Sequence, residues 1–104
     1  MDFKVVNQQG EALYSAEPIH PGEILSDELE ARDLSQKDFA KQIEMKPSHL
    51  NELLKGKRNF TAQLALKVET ALGVEASFWM RAQGEYFLDV ARLERSEMET
   101  LETI

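Results

Sequence analysis

Apolar residues recur at the spacing of an α-helix from about residue 21 to residue 93, with polar residues between them. Residues that commonly begin or end helices bound each of these runs. They are Pro21, Ser35, Pro47, Gly56, Thr61 and Gly73. The pattern predicts five helices joined by short connections, the fifth running from about residue 76 to residue 94 or beyond. We therefore predict an all-α fold.

The two ends of the chain follow a different pattern from the middle. Short apolar runs flank Gln8-Gln9-Gly10 within residues 1–19, a weak signal for a strand or hairpin, so we expect an N-terminal arm here. Residues 20–95 form the expected domain, in which residues 76–95 are an extended C-terminal helix. Residues 96–104 contain three glutamates and no basic residue, and we expect them to form an acidic tail.

The composition excludes several kinds of chemistry. The chain has 104 residues, which fits one domain, and it contains no cysteine, which excludes disulfides, thiol nucleophiles and cysteine-based metal sites. His20 and His49 are too far apart in sequence to suggest a metal or catalytic cluster, and we expect His20 to cap or pack against the first helix. An enzyme is therefore the least favoured class, and we expect no cofactor, no metal and no small-molecule substrate.

The sequence also bears on where the protein works. It contains no apolar span of about 18 residues and no signal peptide at its N-terminus. We therefore expect a cytoplasmic protein with no membrane partner.

The charge of the chain is unevenly distributed. Its formal net charge is −7, which by itself opposes binding to nucleic acid. Residues 35–59 nevertheless contain six basic and three acidic side chains, a net charge of +3, whereas the remaining residues together carry −10. Such a basic island is compatible with a local nucleic-acid contact, and chance clustering on a solvated surface is the alternative.

The basic island coincides with a pair of short predicted helices. The motif spans residues 35–56, and its two helices and short turn have the dimensions of a helix-turn-helix. Ala40 is small where the two helices would cross, and Met45 would fill the space beneath the turn. The second helix has one apolar side and one polar side, as a helix that enters a DNA groove requires. Its polar side chains are Ser48, His49, Asn51, Glu52 and Lys55.

This stretch resembles a known family. The matching segments are Leu34-Ser35-Gln36, Phe39-Ala40, Met45, Leu50 and Leu53-Leu54-Lys55-Gly56-Lys57-Arg58, which look like the XRE-type helix-turn-helix of phage repressors. Flanking segments are similar to HigA-type (VapI-like) plasmid-maintenance antitoxins. They are His20-Pro21-Gly22-Glu23-Ile24-Leu25, Ala65-Leu66, Ala71-Leu72-Gly73 and Ser77-Phe78-Trp79-Met80. The resemblance implies a five-helix, lambda-repressor-like domain that binds operator DNA.

The resemblance also implies which residues contact DNA. Gln36 and the cations at the end of the second helix would bind phosphates, while Ser48 and its neighbours would reach base edges. A contact that Pro47 cannot make would shift to Lys46 or Ser48, and Glu52 would repel phosphates unless it accepts from a cytosine amino group. The implied set is Gln36, Lys46, Ser48, His49, Asn51, Glu52, Lys55, Lys57, Arg58 and Asn59.

Two positions depart from the family pattern. Glu44 stands at the turn position where glycine is usual, because the backbone there tends toward positive φ. Lys46 stands where a serine or threonine N-cap is usual, and Pro47, which has no N–H to cap, partly compensates. Both changes add charge or strain near the expected DNA face.

The fifth predicted helix carries more bulky apolar residues than one helix face can hold. We interpret part of it as the interface of a two-fold homodimer, which this class of DNA-binding protein also needs. The alternative is that all of these residues complete the core of one chain. The predicted interface residues are Trp79, Tyr86, Phe87, Val90 and Leu93.

The resemblance implies a second partner and leaves other functions open. Antitoxins of this type neutralise a small, basic mRNA-cleaving toxin, which an acidic surface on the first helix or in the tail would attract. The leading hypothesis is an antitoxin that represses its own toxin–antitoxin operon. A phage-type repressor or orphan regulator without a toxin is the alternative. A third hypothesis is an adaptor whose motif has lost DNA binding, which Glu44 and Glu52 favour.

Overall fold

The computed structural model describes residues 17–103, and the side chains of residues 17–99. Within this range the chain forms five α-helices and no strand, as the sequence predicts. The helices are α1 (Pro21–Ala31), α2 (Gln36–Gln42), α3 (Pro47–Leu54), α4 (Ala62–Leu72) and α5 (Ala76–Thr103). The predicted strand or hairpin of the N-terminal arm falls almost wholly on residues 1–16, which lie outside the described residues.

Local chemistry explains where the helices begin and end. Ser35 Oγ accepts a hydrogen bond from the Asp38 N–H at 3.1 Å, and Thr61 Oγ1 accepts one from the Leu64 N–H at 3.2 Å. Pro47 is the first residue of α3, whose N-cap Lys46 makes no side-chain capping bond. Gly73 ends α4 with a φ of 78°, a left-handed conformation that suits glycine. These caps lie where the sequence predicts them.

The core is formed by the inward faces of all five helices. Ala40 is fully buried, which lets α2 and α3 pack closely, and α1 packs against α3 and α5. Trp79 of α5 stacks on Phe60, with the ring centroids 5.1 Å apart. The buried apolar residues are Leu25, Leu29, Phe39, Ala40, Ile43, Leu50, Leu53, Leu54, Phe60, Ala65, Val68, Leu72 and Trp79.

The fifth helix continues past residue 95, where the predicted domain ends. It continues to Thr103, so residues 96–103, which the sequence analysis described as an acidic tail, belong to α5. Residues 91–99 are exposed throughout, which shows that this half of the helix leaves the core. Nothing in the glutamate-rich segment stops a helix, because glutamate has a good helix propensity and neither glycine nor proline occurs there. Among the described residues, no helix is long and apolar enough to cross a membrane.

Candidate nucleic-acid interface

Helix α3 is oriented as a DNA-reading helix must be. Its leucines at positions 50, 53 and 54 are buried in the core. The opposite side of the helix carries Ser48, which is exposed, and His49 and Asn51, which are half-buried. The helix therefore presents hydroxyl, imidazole and amide groups on an open surface, and these groups can address base edges.

The turn between α2 and α3 is tight and strained at one residue. Glu44 has a φ of 57°, in the left-handed region that glycine adopts without cost. The Met45 N–H donates to the Ala40 carbonyl at 2.8 Å, which closes the turn. The structure thus confirms the positive φ that the sequence analysis expects at this position. The exposed Glu44 carboxylate lies on the surface between the two helices of the motif.

Two of the predicted DNA-contacting residues are joined across the motif. The Asn51 amide Nδ2 donates to Gln36 Oε1 at 3.3 Å, which links the exposed face of α3 to the first residue of α2. Both side chains remain accessible to solvent. The bond orients the Gln36 amide, whose NH₂ group can still donate to a phosphate oxygen.

The basic residues that follow α3 are exposed, and one of them contacts the polar side of the helix. Lys55, Lys57 and Arg58 are exposed, and Lys46 lies exposed at the start of α3. Arg58 forms an ion pair with Glu52, with 2.9 Å between Nη2 and Oε1, and its Nε donates to the same oxygen at 3.1 Å. The Glu52 charge is therefore largely offset by Arg58. The sequence alone does not predict this pair, because the two residues meet only once the chain turns after α3.

Asn59 occupies a different position from the other predicted contacts. Its side-chain oxygen lies 3.0 Å from His20 Nε2 and accepts from Gln83 Nε2 at 3.2 Å. The oxygen is thus engaged by two side chains of the same chain, although Asn59 itself is exposed. His20 also caps α1, because its Nδ1 accepts from the Gly22 N–H at 2.9 Å. The expectation that His20 caps and packs is confirmed.

Gln83 is a polar residue that sequence reasoning missed. It is 3% exposed and lies on α5, and its Oε1 accepts from the Phe60 N–H at 2.8 Å. A signal was present in the sequence, since Gln83 follows Trp79 by four residues and precedes Tyr86 by three, which places it on the inward side of the helix.

The residues predicted to form the dimer interface are not equivalent in the structure. Trp79 is 1% exposed, so its inclusion in the interface needs correction: the indole packs on Phe60 and Phe78 within the chain and has no surface left for a partner. Tyr86 and Val90 are half-buried, and Phe87 and Leu93 are exposed. These four residues keep accessible surface on α5.

The surface built by the motif has the parts that a DNA-reading module uses. A helix of eight residues carries polar groups suited to base edges, and exposed cations follow it directly in the chain. The cations would neutralise phosphates, and the amide and hydroxyl groups would discriminate bases. No group of three or more His, Asp or Glu side chains able to hold a metal ion occurs in the described part of the chain.

Comparison with known proteins agrees with this geometry. Residues 25–79 match the family model described as helix-turn-helix. Virulence-associated protein I of Dichelobacter nodosus is 36% identical over 81 residues, which cover 77% of this chain and 75% of that protein.

Solved structures with the same fold are also similar in sequence. An addiction module antidote protein of the HigA family from Coxiella burnetii has a TM-score of 0.73 at 32% identity, and the match covers 86% of this chain and 97% of that chain. The antitoxin HigA of Pseudomonas aeruginosa, whose structure was determined with the higBA promoter, has a TM-score of 0.72 at 32% identity. That match covers 79% of this chain and 90% of the other.

Proposed function

We propose that this chain, which belongs to the helix-turn-helix family and within it to the HigA-type antitoxins, is a sequence-specific DNA-binding antitoxin that represses its own operon. It acts by binding rather than by catalysis. The observation that carries the proposal is the orientation of α3. Three leucines anchor this helix in the core, while its polar side faces away from the domain beside exposed cations.

Different residues of this surface bind phosphates and recognise bases. Lys46, Lys55, Lys57 and Arg58 bind backbone phosphates and supply most of the affinity, because neutralised phosphates release counterions. Ser48, His49 and Asn51 read bases in the major groove. Gln36 donates to a phosphate from the start of α2, held in place by its bond to Asn51. Glu52 is engaged by Arg58 in the free protein, which lowers its repulsion of phosphates.

DNA binding across a range of salt concentrations tests the proposal. The purified protein is titrated onto a duplex from the region upstream of its own reading frame, at about 50 to 200 mM salt. We expect sequence-preferring binding whose affinity falls steeply with salt. In a Lys55→Ala/Lys57→Ala/Arg58→Ala variant the logarithmic salt slope should fall by about two to three per protomer, at roughly 0.9 per phosphate contact.

A matched variant separates a local effect from a general loss of charge. Arg32→Ala/Lys67→Ala/Arg81→Ala also removes three cations, and all three are exposed residues outside the helix-turn-helix surface. We expect its salt slope to stay near that of the unmodified protein. Equal slopes in the two triple variants would mean that α3 and its flanking cations do not form the binding surface. Absence of binding by the unmodified protein at the lowest salt would refute DNA binding.

The proposed active form is a homodimer assembled through α5. Its support is the set of large apolar side chains that this helix leaves exposed, a feature typical of protein interfaces. They are Met80, Phe87, Leu88, Leu93 and Met98. A dimer would present two α3 helices to half-sites about 34 Å apart, and it would double the number of phosphate contacts. The additional contacts matter because the chain outside residues 35–59 carries a net charge of −10, which repels DNA.

The same acidic remainder supports a toxin partner. We propose that the chain binds a small, basic, mRNA-cleaving toxin, whose approach the negative charge would accelerate. Co-expression with a short basic protein encoded by the neighbouring reading frame tests this, with a stable complex as the expected result. Operator binding without any such complex would instead identify a phage-type repressor or orphan regulator.

A further inference from the structure

One buried polar side chain connects α5 to the backbone that follows the DNA-reading helix. Gln83 uses both ends of its amide: Oε1 accepts from the Phe60 N–H at 2.8 Å, and Nε2 donates to Asn59 Oδ1 at 3.2 Å. A buried amide is costly unless it is hydrogen-bonded, and here both of its polar atoms have partners. An apolar residue at this position would leave the buried Phe60 N–H without its acceptor. The amide therefore serves the two residues that it binds.

His20 holds the same segment from the other side. Its Nδ1 accepts from the Gly22 N–H, so the ring proton is on Nε2, which donates to Asn59 Oδ1 at 3.0 Å. Asn59 Oδ1 thus accepts two hydrogen bonds, one from the N-cap of α1 and one from α5. Gly56 has a left-handed conformation with a φ of 78°, and a Cβ added to it would lie 3.5 Å from His20 Cγ.

Residues 55–60, which we call the 55–60 loop, are consequently held at two points. The Gly56 N–H donates to the Leu53 carbonyl at 3.0 Å near the beginning of the loop, and Asn59 and Phe60 are bonded to Gln83 at its end. Lys57 and Arg58 lie between these two points and are exposed. The loop therefore has a defined backbone path. From it Lys57 can meet a phosphate directly, whereas Arg58 must first exchange its ion pair with Glu52.

We propose that Gln83 is a positioning residue for DNA binding, which holds the 55–60 loop so that Lys57 and Arg58 face the phosphate backbone. This inference rests on the proposed DNA-binding function. Holding the loop in advance lowers the ordering cost that binding would otherwise incur. Because Gln83 lies on α5, it also fixes the loop relative to the helix through which we propose that two protomers associate.

The test replaces Gln83 with methionine, which has a similar length and suits a buried position but cannot form the two hydrogen bonds. Gln63→Met is the matched control, because Gln63 is exposed on α4. The first measurement is amide hydrogen exchange in the free protein. We expect the Phe60 N–H to exchange roughly tenfold faster in Gln83→Met, since its buried acceptor is lost, and to be unchanged in Gln63→Met.

The second measurement is binding to the upstream duplex across the same salt range. In Gln83→Met we expect affinity to fall roughly five- to thirtyfold and the salt slope to decrease by about one per protomer. The preference among base sequences should stay the same, because Ser48, His49 and Asn51 are untouched. A merely destabilised fold would lower the fraction of active protein without changing the slope.

A second variant keeps the proposal testable if Gln83→Met folds poorly. Asn59→Ala removes the acceptor at the exposed end of the network, and its effect on affinity should overlap with that of Gln83→Met rather than add to it. Unchanged affinity and slope in Gln83→Met, with faster Phe60 exchange, would overturn the positioning role. An unchanged exchange rate of the Phe60 N–H in Gln83→Met would show that the hydrogen bond to Gln83 does not hold the loop. The unmodified protein could also bind no duplex while the Phe60 N–H still exchanges faster in Gln83→Met. In that case the proposed function fails, and Gln83 has a purely structural role.

Discussion

Glu44 shows how much a single backbone angle contributes in this domain. Its φ of 57° places a residue with a Cβ in the left-handed region, which costs about 1 kcal/mol relative to glycine. We expect Glu44→Gly to raise the free energy of unfolding by about 0.5 to 1 kcal/mol, since the relief exceeds the entropy that glycine gains in the unfolded chain. Urea denaturation followed by circular dichroism measures the change.

Two controls separate strain from charge at this position. Glu44→Gln removes the carboxylate but keeps the Cβ, so it should leave stability nearly unchanged. Asp33 also has a positive φ, of 59°, but aspartate tolerates this conformation better than glutamate, so Asp33→Gly should stabilise less. If Glu44→Gln raised the free energy of unfolding as much as Glu44→Gly does, the cause would be the charge and not backbone strain.

Glu52 and Arg58 show what residue identity alone leaves undecided. In the sequence, Glu52 is an acidic residue among presumed phosphate contacts, which suggests either a cytosine contact or a weakened DNA surface. The structure adds the 2.9 Å ion pair with Arg58. Both side chains are partly exposed, so the pair adds little stability, and its importance lies in the charge that it offsets.

Between elements, α1 approaches α3 closely at Gly22. A Cβ added at Gly22 would overlap the carbonyl group of Leu53, so the two helices must separate or shift to admit any side chain. We expect Gly22→Ala to destabilise the domain by about 2 kcal/mol or more. Thermal unfolding monitored by circular dichroism tests this expectation.

Gly84 supplies the matched substitution for this prediction. It lies within α5 on an exposed face, with open space where a Cβ would be. Gly84→Ala should therefore stabilise the helix by about 0.5 to 1 kcal/mol, because alanine loses less backbone entropy on folding. Similar stability in Gly22→Ala and the unmodified chain would show that the α1–α3 contact is looser than the structure indicates.

At the scale of the whole molecule, the long α5 gives the chain an elongated shape of 51 × 27 × 21 Å. Phe87 lies on this helix with 51% of its surface exposed. If α5 forms the dimer, Phe87→Asp should convert the dimer to a monomer, because a buried unpaired charge at an interface is costly. The molar mass from light scattering at several protein concentrations measures this.

Leu66→Asp is the control for the dimer prediction. Leu66 has a similar exposure of 54% but lies on α4, so a charge there should leave the molar mass unchanged. A monomeric unmodified protein, or equal dissociation of both variants, would contradict dimerisation through this face of α5. Loss of operator affinity together with dissociation in Phe87→Asp would further connect the dimer to DNA binding.

The sequence alone determined the number, type and starting points of the helices. Their signals are local: Ser35 and Thr61 bond to amides three residues away, Pro47 has a restricted φ, and Gly73 adopts a left-handed turn. The outward and inward sides of α3 were also predictable, because helical periodicity is a pattern among residues that are close in sequence. The end of α5 was less predictable, because its glutamate-rich segment has no stop signal and was interpreted as a tail.

The tertiary structure decided which residues meet over long sequence separations. It assigned Trp79 to the core rather than to an interface, paired Glu52 with Arg58, and brought His20, Asn59 and Gln83 into one hydrogen-bonded network. The bonded pairs of that network, His20–Asn59 and Asn59–Gln83, are 39 and 24 residues apart. Periodicity identifies the face on which a side chain lies but not the partner that it meets, because that partner is selected by how the helices pack against one another.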